Sequence, residues 1–132
     1  MNKKILIAAS LLGLTSVILG AFGAHGLKAS ISVESLQTFE TGVRYQMYHA
    51  IFLLFVGSTS LITQKTKRLI FYFILIGVFF FSGSIYGLAT NVLTTFDFKT
   101  IALITPIGGF FLISAWVLLF KDFLKIKSKN DN

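Results

Sequence analysis

The sequence predicts an all-α protein: a polytopic membrane four-helix bundle with an amphipathic helix at the outer interface between spans 1 and 2. Three observations carry that prediction. Hydrophobic residues make up 55% of the 132-residue chain and charged residues only 13%, roughly half the quarter that soluble domains carry. Phe occurs 15 times and Pro once, which suits long uninterrupted helices. The charges gather between apolar runs rather than inside them. The net charge of +7 therefore reads as a membrane-orientation signal, and the expected partner is the lipid bilayer, not nucleic acid. The chain has no Cys, which excludes disulfides, thiolate metal sites and cysteine nucleophiles.

The first apolar run, Ile5–Ala24, has no ionisable group and meets the ~20 residues a bilayer core requires. "MNKK" ahead of it and "AFG" at its end outline a secretory signal, but a run of about 20 residues exceeds a signal core of 7–15. An uncleaved span is expected. Residues 28–44 place Leu36, Phe39, Val43 and Met47 on one helical face and a Glu40–Arg44 pair on another, the pattern of an interfacial amphipathic helix turning into the second span. That span runs from Tyr45 to Ile62. "QKTKR" (64–68) is a connector, Leu69–Ala89 the third span, "NVLTTFDFK" (91–99) an outer loop, and Ile101–Phe120 the fourth span. "KDFLKIKSKNDN" is expected to fray as a basic tail. The chain thus reads as one membrane domain, 1–132, with spans at about 5–27, 45–63, 69–90 and 100–120, helical because backbone groups in lipid must bond internally.

With the N-terminus in the cytoplasm, Lys3, Lys4, Lys65, Lys67, Arg68, Lys121, Lys125, Lys127 and Lys129 all fall inside, nine of the twelve basic residues. Lys28, Arg44 and Lys99 fall outside. The expectation is a multi-pass protein of the cell (cytoplasmic) membrane with both termini cytoplasmic.

Small residues supply the helix contacts that lipid cannot drive: Ser16, Gly20 and Ala24 on the first span, Gly83 and Gly87 on the third, Gly108 and Gly109 on the fourth. Pro106 is expected to free a carbonyl near Ala102 and to kink its span with polar access.

Counted from the outer boundary at 1.5 Å per residue, His25 lies about 4–5 Å deep and His49 about 7–8 Å. Tyr86 and Thr105 fall at comparable depth. All four helices then bring polar groups to one layer in the outer third of the membrane. The candidate ligand-binding residues are His25, Glu40, Arg44, Tyr45, Gln46, Tyr48, His49, Ser84, Tyr86, Thr105 and Pro106. No catalytic residue stands out. There is no Walker motif, GxSxG or HExxH, and the spans as bounded hold no Asp, Glu, Lys or Arg of the kind a proton-coupled antiporter needs.

Such a layer suits a lipid, a quinone or another small amphiphile, with Arg44 on a phosphate, or a role as an accessory subunit. Two alternatives stand beside it. His25 and His49 on adjacent helices are spaced for an axial haem or a shared metal, although without Cys or a buried carboxylate the donor set is thin. A transporter subunit of this size requires a homo-oligomer or a protein partner, and the Leu-, Ile- and Phe-rich inner halves offer no polar path. A plain packing reading, in which the two histidines bond within the bundle, is also open. The expected reading is the amphiphile site, and the cofactor stays undetermined.

The stretches "GAFGAHGL" (20–27), "FETGVRYQMYHA" (39–50), "FSGSIYG" (81–87) and "TPIGGFFLISAW" (105–116) together resemble a small four-span membrane protein family catalogued as a domain of unknown function, whose eukaryotic branch is named only as a transmembrane protein. The resemblance covers nearly the whole chain. It implies a four-span protein, mostly bacterial, and no established activity. The residues it marks are His25, Arg44, Tyr45, Gln46, His49, Ser84, Tyr86, Pro106, Gly108 and Gly109. "SAW" departs from the family pattern in having Ala115 where a glycine is expected before the tryptophan, a substitution small enough for close packing.

Overall fold

The computed structural model describes residues 1–127, and within them every regular element is helical. Helix α1 covers Asn2–Phe22 and runs on into one turn of π-helix, Gly23–Leu27. Helix α2 covers Val33–Ser58, α3 Gln64–Ala89 and α4 Ile104–Leu124. Short 3-10 turns at Asn91–Leu93 and Phe98–Ile101 bridge α3 and α4. Two of the four helix starts have a side-chain cap. Ser32 caps α2 by accepting from the Ser35 N–H at 3.1 Å, and Thr63 caps α3 by accepting from the Thr66 N–H at 3.3 Å.

The amphipathic segment is helical, but it does not form a separate element that turns into the second span. Residues 33–58 are one continuous helix, about 39 Å long, because no Pro interrupts it and Gly42 is packed inside it against Tyr86 and Ile85. Asn2–Leu27, Gln64–Ala89 and Ile104–Leu124 are long and apolar enough to cross a membrane. Helix α2 is less apolar, since it carries Glu34, Glu40, Arg44, Gln46 and His49.

The helices pack extensively in chain order: α1 on α2, α2 on α3 and α3 on α4. Because lipid is as apolar as leucine, these seams rest on close contact and hydrogen bonds rather than on water exclusion. Gly13, Ser16, Gly20 and Gly23 recur at three- and four-residue spacing along α1 and face α2. A Cβ on Gly20 would lie 3.4 Å from Val43, and one on Gly23 3.0 Å from Phe39. Toward the other end, Gly57 of α2 lets Leu6 approach to 2.8 Å of the Cβ position. The two helices are therefore antiparallel, and α2 lies beside α1 from Phe39 to Gly57. Ala24 is exposed, because helical drift carries the small-residue seam through Gly23 instead. Gly83, also expected at a contact, faces open space, whereas Gly77 receives Leu112 and Gly87 receives Phe98.

Pro106 does not kink α4. The helix starts at Ile104, so Pro106 sits in its first turn, where a missing N–H breaks no bond. The Ala102 carbonyl accepts from the Thr105 N–H at 3.3 Å.

The end where α1 begins and α4 ends is closed by two buried charged residues. Lys67 is 1% exposed and donates from Nζ to the Thr59 carbonyl and to Asn2 Oδ1 at 3.2 Å. Its ammonium lies at the C-terminus of α2, where the helix dipole is negative. Asp122 is 7% exposed, and its carboxylate accepts from the Thr63 N–H and the Thr66 hydroxyl, each at 2.9 Å. The segment from residue 121 was expected to fray, yet Lys121–Leu124 are helical, held by those bonds to α3. The rest of that tail beyond Lys127, with Lys129, lies outside the described residues.

Adjacent glycines on α4 should respond in opposite ways to a single methyl group. On Gly108 it would fall on the Phe81 backbone nitrogen and 2.8 Å from the Phe80 carbonyl carbon, whereas on Gly109 it would meet only the Phe81 ring at 3.7 Å. Gly108→Ala is expected to lose about 1–3 kcal/mol of stability, and Gly109→Ala to stay within about 0.5 kcal/mol. The check is the unfolding midpoint in mixed micelles titrated with sodium dodecyl sulfate.

Candidate functional site

The polar residues of the expected single layer resolve into three clusters, each joining a different set of helices. Arg44, from which the depth of His49 was counted, lies inside the continuous helix Val33–Ser58.

The first cluster ties α1, α2 and α3 around Gln46, which is 5% exposed. Its Nε2 donates to the Leu12 carbonyl at 2.9 Å and to the Thr15 hydroxyl at 2.7 Å. Its Oε1 accepts from the Tyr86 hydroxyl at 2.7 Å. One turn away, Ser16 donates to the Val43 carbonyl at 2.9 Å and Ser82 to the Gly42 carbonyl at 2.8 Å. The second cluster is the Ser84–Thr105 hydroxyl pair, which joins α3 to α4.

The third cluster lies between α2 and α4. His49 is 3% exposed, and its Nδ1 is 2.7 Å from the Tyr45 carbonyl. A carbonyl only accepts, so Nδ1 carries the proton. Trp116 donates its indole N–H to His49 Nε2 at 3.2 Å, which requires Nε2 to be an unprotonated acceptor. The imidazole is therefore neutral, with its tautomer set by the fold. Around it, Phe52 stacks on Trp116 with centroids 4.2 Å apart and planes at 14°, and Tyr45 lies 4.9 Å from the Phe81 ring.

This cluster floors a groove with two lobes that share Tyr45, His49 and Trp116. One lobe, of about 390 Å³, is completed by Tyr48 and Ile51. The other, of about 300 Å³, is completed by Phe81, Gly109, Leu112 and Ile113. Tyr45, Tyr48 and Trp116 are 40%, 51% and 49% exposed, so the groove opens sideways toward the lipid-facing surface. No Lys, Arg, Asp or Glu lines either lobe.

Several sequence candidates stand apart from these clusters. His25 is exposed on the π-turn after α1, and the rings that pack on His49 are Tyr45, Phe52 and Trp116. His25 is not among the groups that contact His49. With Nδ1 protonated and the Nε2 lone pair held by an indole N–H, His49 as folded presents no ligand face to a metal. Among the described residues no group of three or more His, Cys, Asp or Glu is placed to hold one. Glu40 and Arg44 are exposed, and the Arg44 guanidinium donates to the Thr41 hydroxyl at 3.1 Å rather than to Glu40. Pro106 is exposed in the first turn of α4.

Sequence reasoning missed Trp116, Phe81 and Thr15 as partners, and Lys67 and Asp122 as buried residues. Trp116 had one available signal: it is the only Trp in the chain. Lys67 and Asp122 had none, since basic and acidic residues beside a span ordinarily read as solvated.

Long apolar helices seamed by glycines, with polar groups bonded to one another inside, define an integral, helical membrane protein. The chain belongs to the family described as "Protein of unknown function (DUF423)", whose model matches residues 19–109. A UPF0382 membrane protein of Haemophilus influenzae is 39% identical over 97% of this chain and 99% of its own length. The UPF0382 membrane protein SH2409 of Staphylococcus haemolyticus is 38% identical over 89% and 92%. The UPF0382 inner membrane protein YgdD of Escherichia coli is 32% identical over 97% and 95%. No solved structure matches the chain.

Gln46→Leu should cost about 1–2 kcal/mol, because it removes three interhelical bonds and orphans the Tyr86 hydroxyl. Tyr86→Phe alone should cost about 0.6 kcal/mol. Unfolding of both single variants and of the double variant in mixed micelles checks this, with the double variant expected to fall short of the sum. His25→Ala, which removes an exposed ring, should stay within about 0.5 kcal/mol of the parent.

Proposed function

We propose that this protein binds a small ring-bearing amphiphile of the quinone class, taken from the bilayer into the groove between α2 and α4. The observation that carries the reading is the groove itself. Its lobes of about 390 and 300 Å³ reach the range of small-molecule sites, roughly 300–1,000 Å³. Aromatic side chains line it, and one imidazole–indole pair forms its polar floor. Its sideways opening suits a ligand that arrives by diffusion within the membrane.

In this reading α2 is a fourth span, because it lies antiparallel beside α1 over the length from Phe39 to Gly57. The protein sits in the cell membrane, in keeping with the inner-membrane name of its Escherichia coli relative. Both termini face the cytoplasm, since Lys3, Lys4, Lys65, Arg68, Lys121, Lys125 and Lys127 cluster at one end of the helices.

Trp116 makes the reading testable without a label, because it is the only Trp and it lines both lobes. A short-tailed quinone titrated into the protein in nanodiscs should quench its fluorescence saturably. Tyr45→Ala, which removes one of the three rings shared by both lobes, should raise the half-saturating quinone by roughly tenfold. Quenching that rises linearly and equally in the two proteins would be collisional, and the groove would then be no binding site.

A further inference from the structure

We propose that the groove selects its ligand through a neutral hydroxyl group that inserts between Trp116 Nε1 and His49 Nε2. This rests on the reading that the groove is a binding site for a quinone-class ring, and it names the form held best: the hydroxylated phenol or quinol ring, with the oxidised quinone entering the same groove more weakly.

The argument starts from the tautomer. The Tyr45 carbonyl holds the proton on His49 Nδ1, so Nε2 can only accept. The indole Nε1 of Trp116 can only donate. Their mutual bond, at 3.2 Å, uses the one hydrogen of the indole and the one lone pair of the imidazole. A ligand that displaces it meets one donor and one acceptor side by side in an apolar groove. A hydroxyl satisfies both at once, accepting from the indole and donating to the imidazole, so one bond is replaced by two.

Other head groups satisfy only half of the pair. A carbonyl, an ether oxygen or an anion accepts from Trp116 and leaves Nε2 buried without a proton donor. An ammonium does the reverse and leaves the indole N–H unpaired. A buried polar group left without a partner carries its full desolvation cost. Charged head groups meet a second penalty, because no Lys, Arg, Asp or Glu lines either lobe to balance them. The aromatic lining by Tyr45, Tyr48 and Trp116 favours a ring over a bare alkyl chain.

The test uses the protein in phosphatidylcholine nanodiscs and three probes of nearly equal shape: a ring-brominated alkylphenol, its methyl ether and the corresponding alkylbenzoate. Bromine quenches Trp116 on contact, so the chain's single indole reports occupancy. The phenol is expected to saturate at a membrane mole fraction roughly tenfold below that of the ether, with the benzoate weaker still. In His49→Phe, which removes the acceptor but keeps a ring, phenol and ether should bind alike. The series on the unaltered protein decides the matter even if that variant does not fold. Equal, saturable binding of phenol and ether would overturn hydroxyl selection while leaving the groove a ligand site. Tightest binding by the benzoate would overturn it in favour of an anionic head group. Saturation by none of the three would overturn both this inference and the reading it rests on.

Discussion

A side-chain amide buried among apolar helices has to be bonded at both ends, and Gln46 meets that condition by holding three helices at once. Its amino group binds a carbonyl and a hydroxyl on α1, and its oxygen binds the Tyr86 phenol on α3. Water does not compete for these bonds in a lipid phase, and unpaired donors there are costly. Gln46 therefore fixes the register of α1, α2 and α3 together. Once that register is set, Ser16 meets Val43, Ser82 meets Gly42, and the glycines at 20, 23, 42 and 57 fall where side chains of Val43, Phe39, Tyr86 and Leu6 press in from the neighbouring helix. Among the described residues, no buried side-chain nitrogen or oxygen lacks a partner.

The far end of the helices solves the same problem with charge. Lys67 satisfies the end of α2 and the start of α1, while Asp122 satisfies the start of α3 from the end of α4. Between this seal and the Gln46 knot, α2 and α4 are held apart by α3 and meet chiefly through rings: His49 and Phe52 with Trp116, and Phe55 with Phe123 at 6.1 Å. Ring contacts without small-residue seams leave space between helices. The candidate groove is that space, and it exists because the extensive packing follows chain order.

Much of the fold was legible in the residues. The four helical segments, the short connector before α3 and the polar character of Gln46, His49 and Tyr86 all follow from hydropathy and motif. What failed were inferences that needed a boundary or a facing direction. Arg44 looked like the start of a span, but a continuous helix passes through it, so the end of the helix does not coincide with the change in hydropathy. His25 and His49 looked like a pair because both are histidines counted to similar depth on adjacent helices. Helix α1 leaves His25 on an exposed π-turn, while α2 points His49 at α4. Pro106 looked like a kink because the helix was taken to begin earlier than Ile104.

The sequence by itself determined that this is a helical membrane protein, since lipid admits no other way to satisfy the backbone of long apolar runs. It also determined the small-residue character of the α1–α2 and α3–α4 seams, because only residues without bulk allow backbones that close. Only the tertiary structure decided which polar groups meet. Partnership depends on the rotation of each helix about its axis and on relative height, and both are set by contacts between helices that one-dimensional spacing does not encode. That is why Trp116, not singled out as a partner in the chain, faces His49, and why His25, conspicuous in the chain, faces outward.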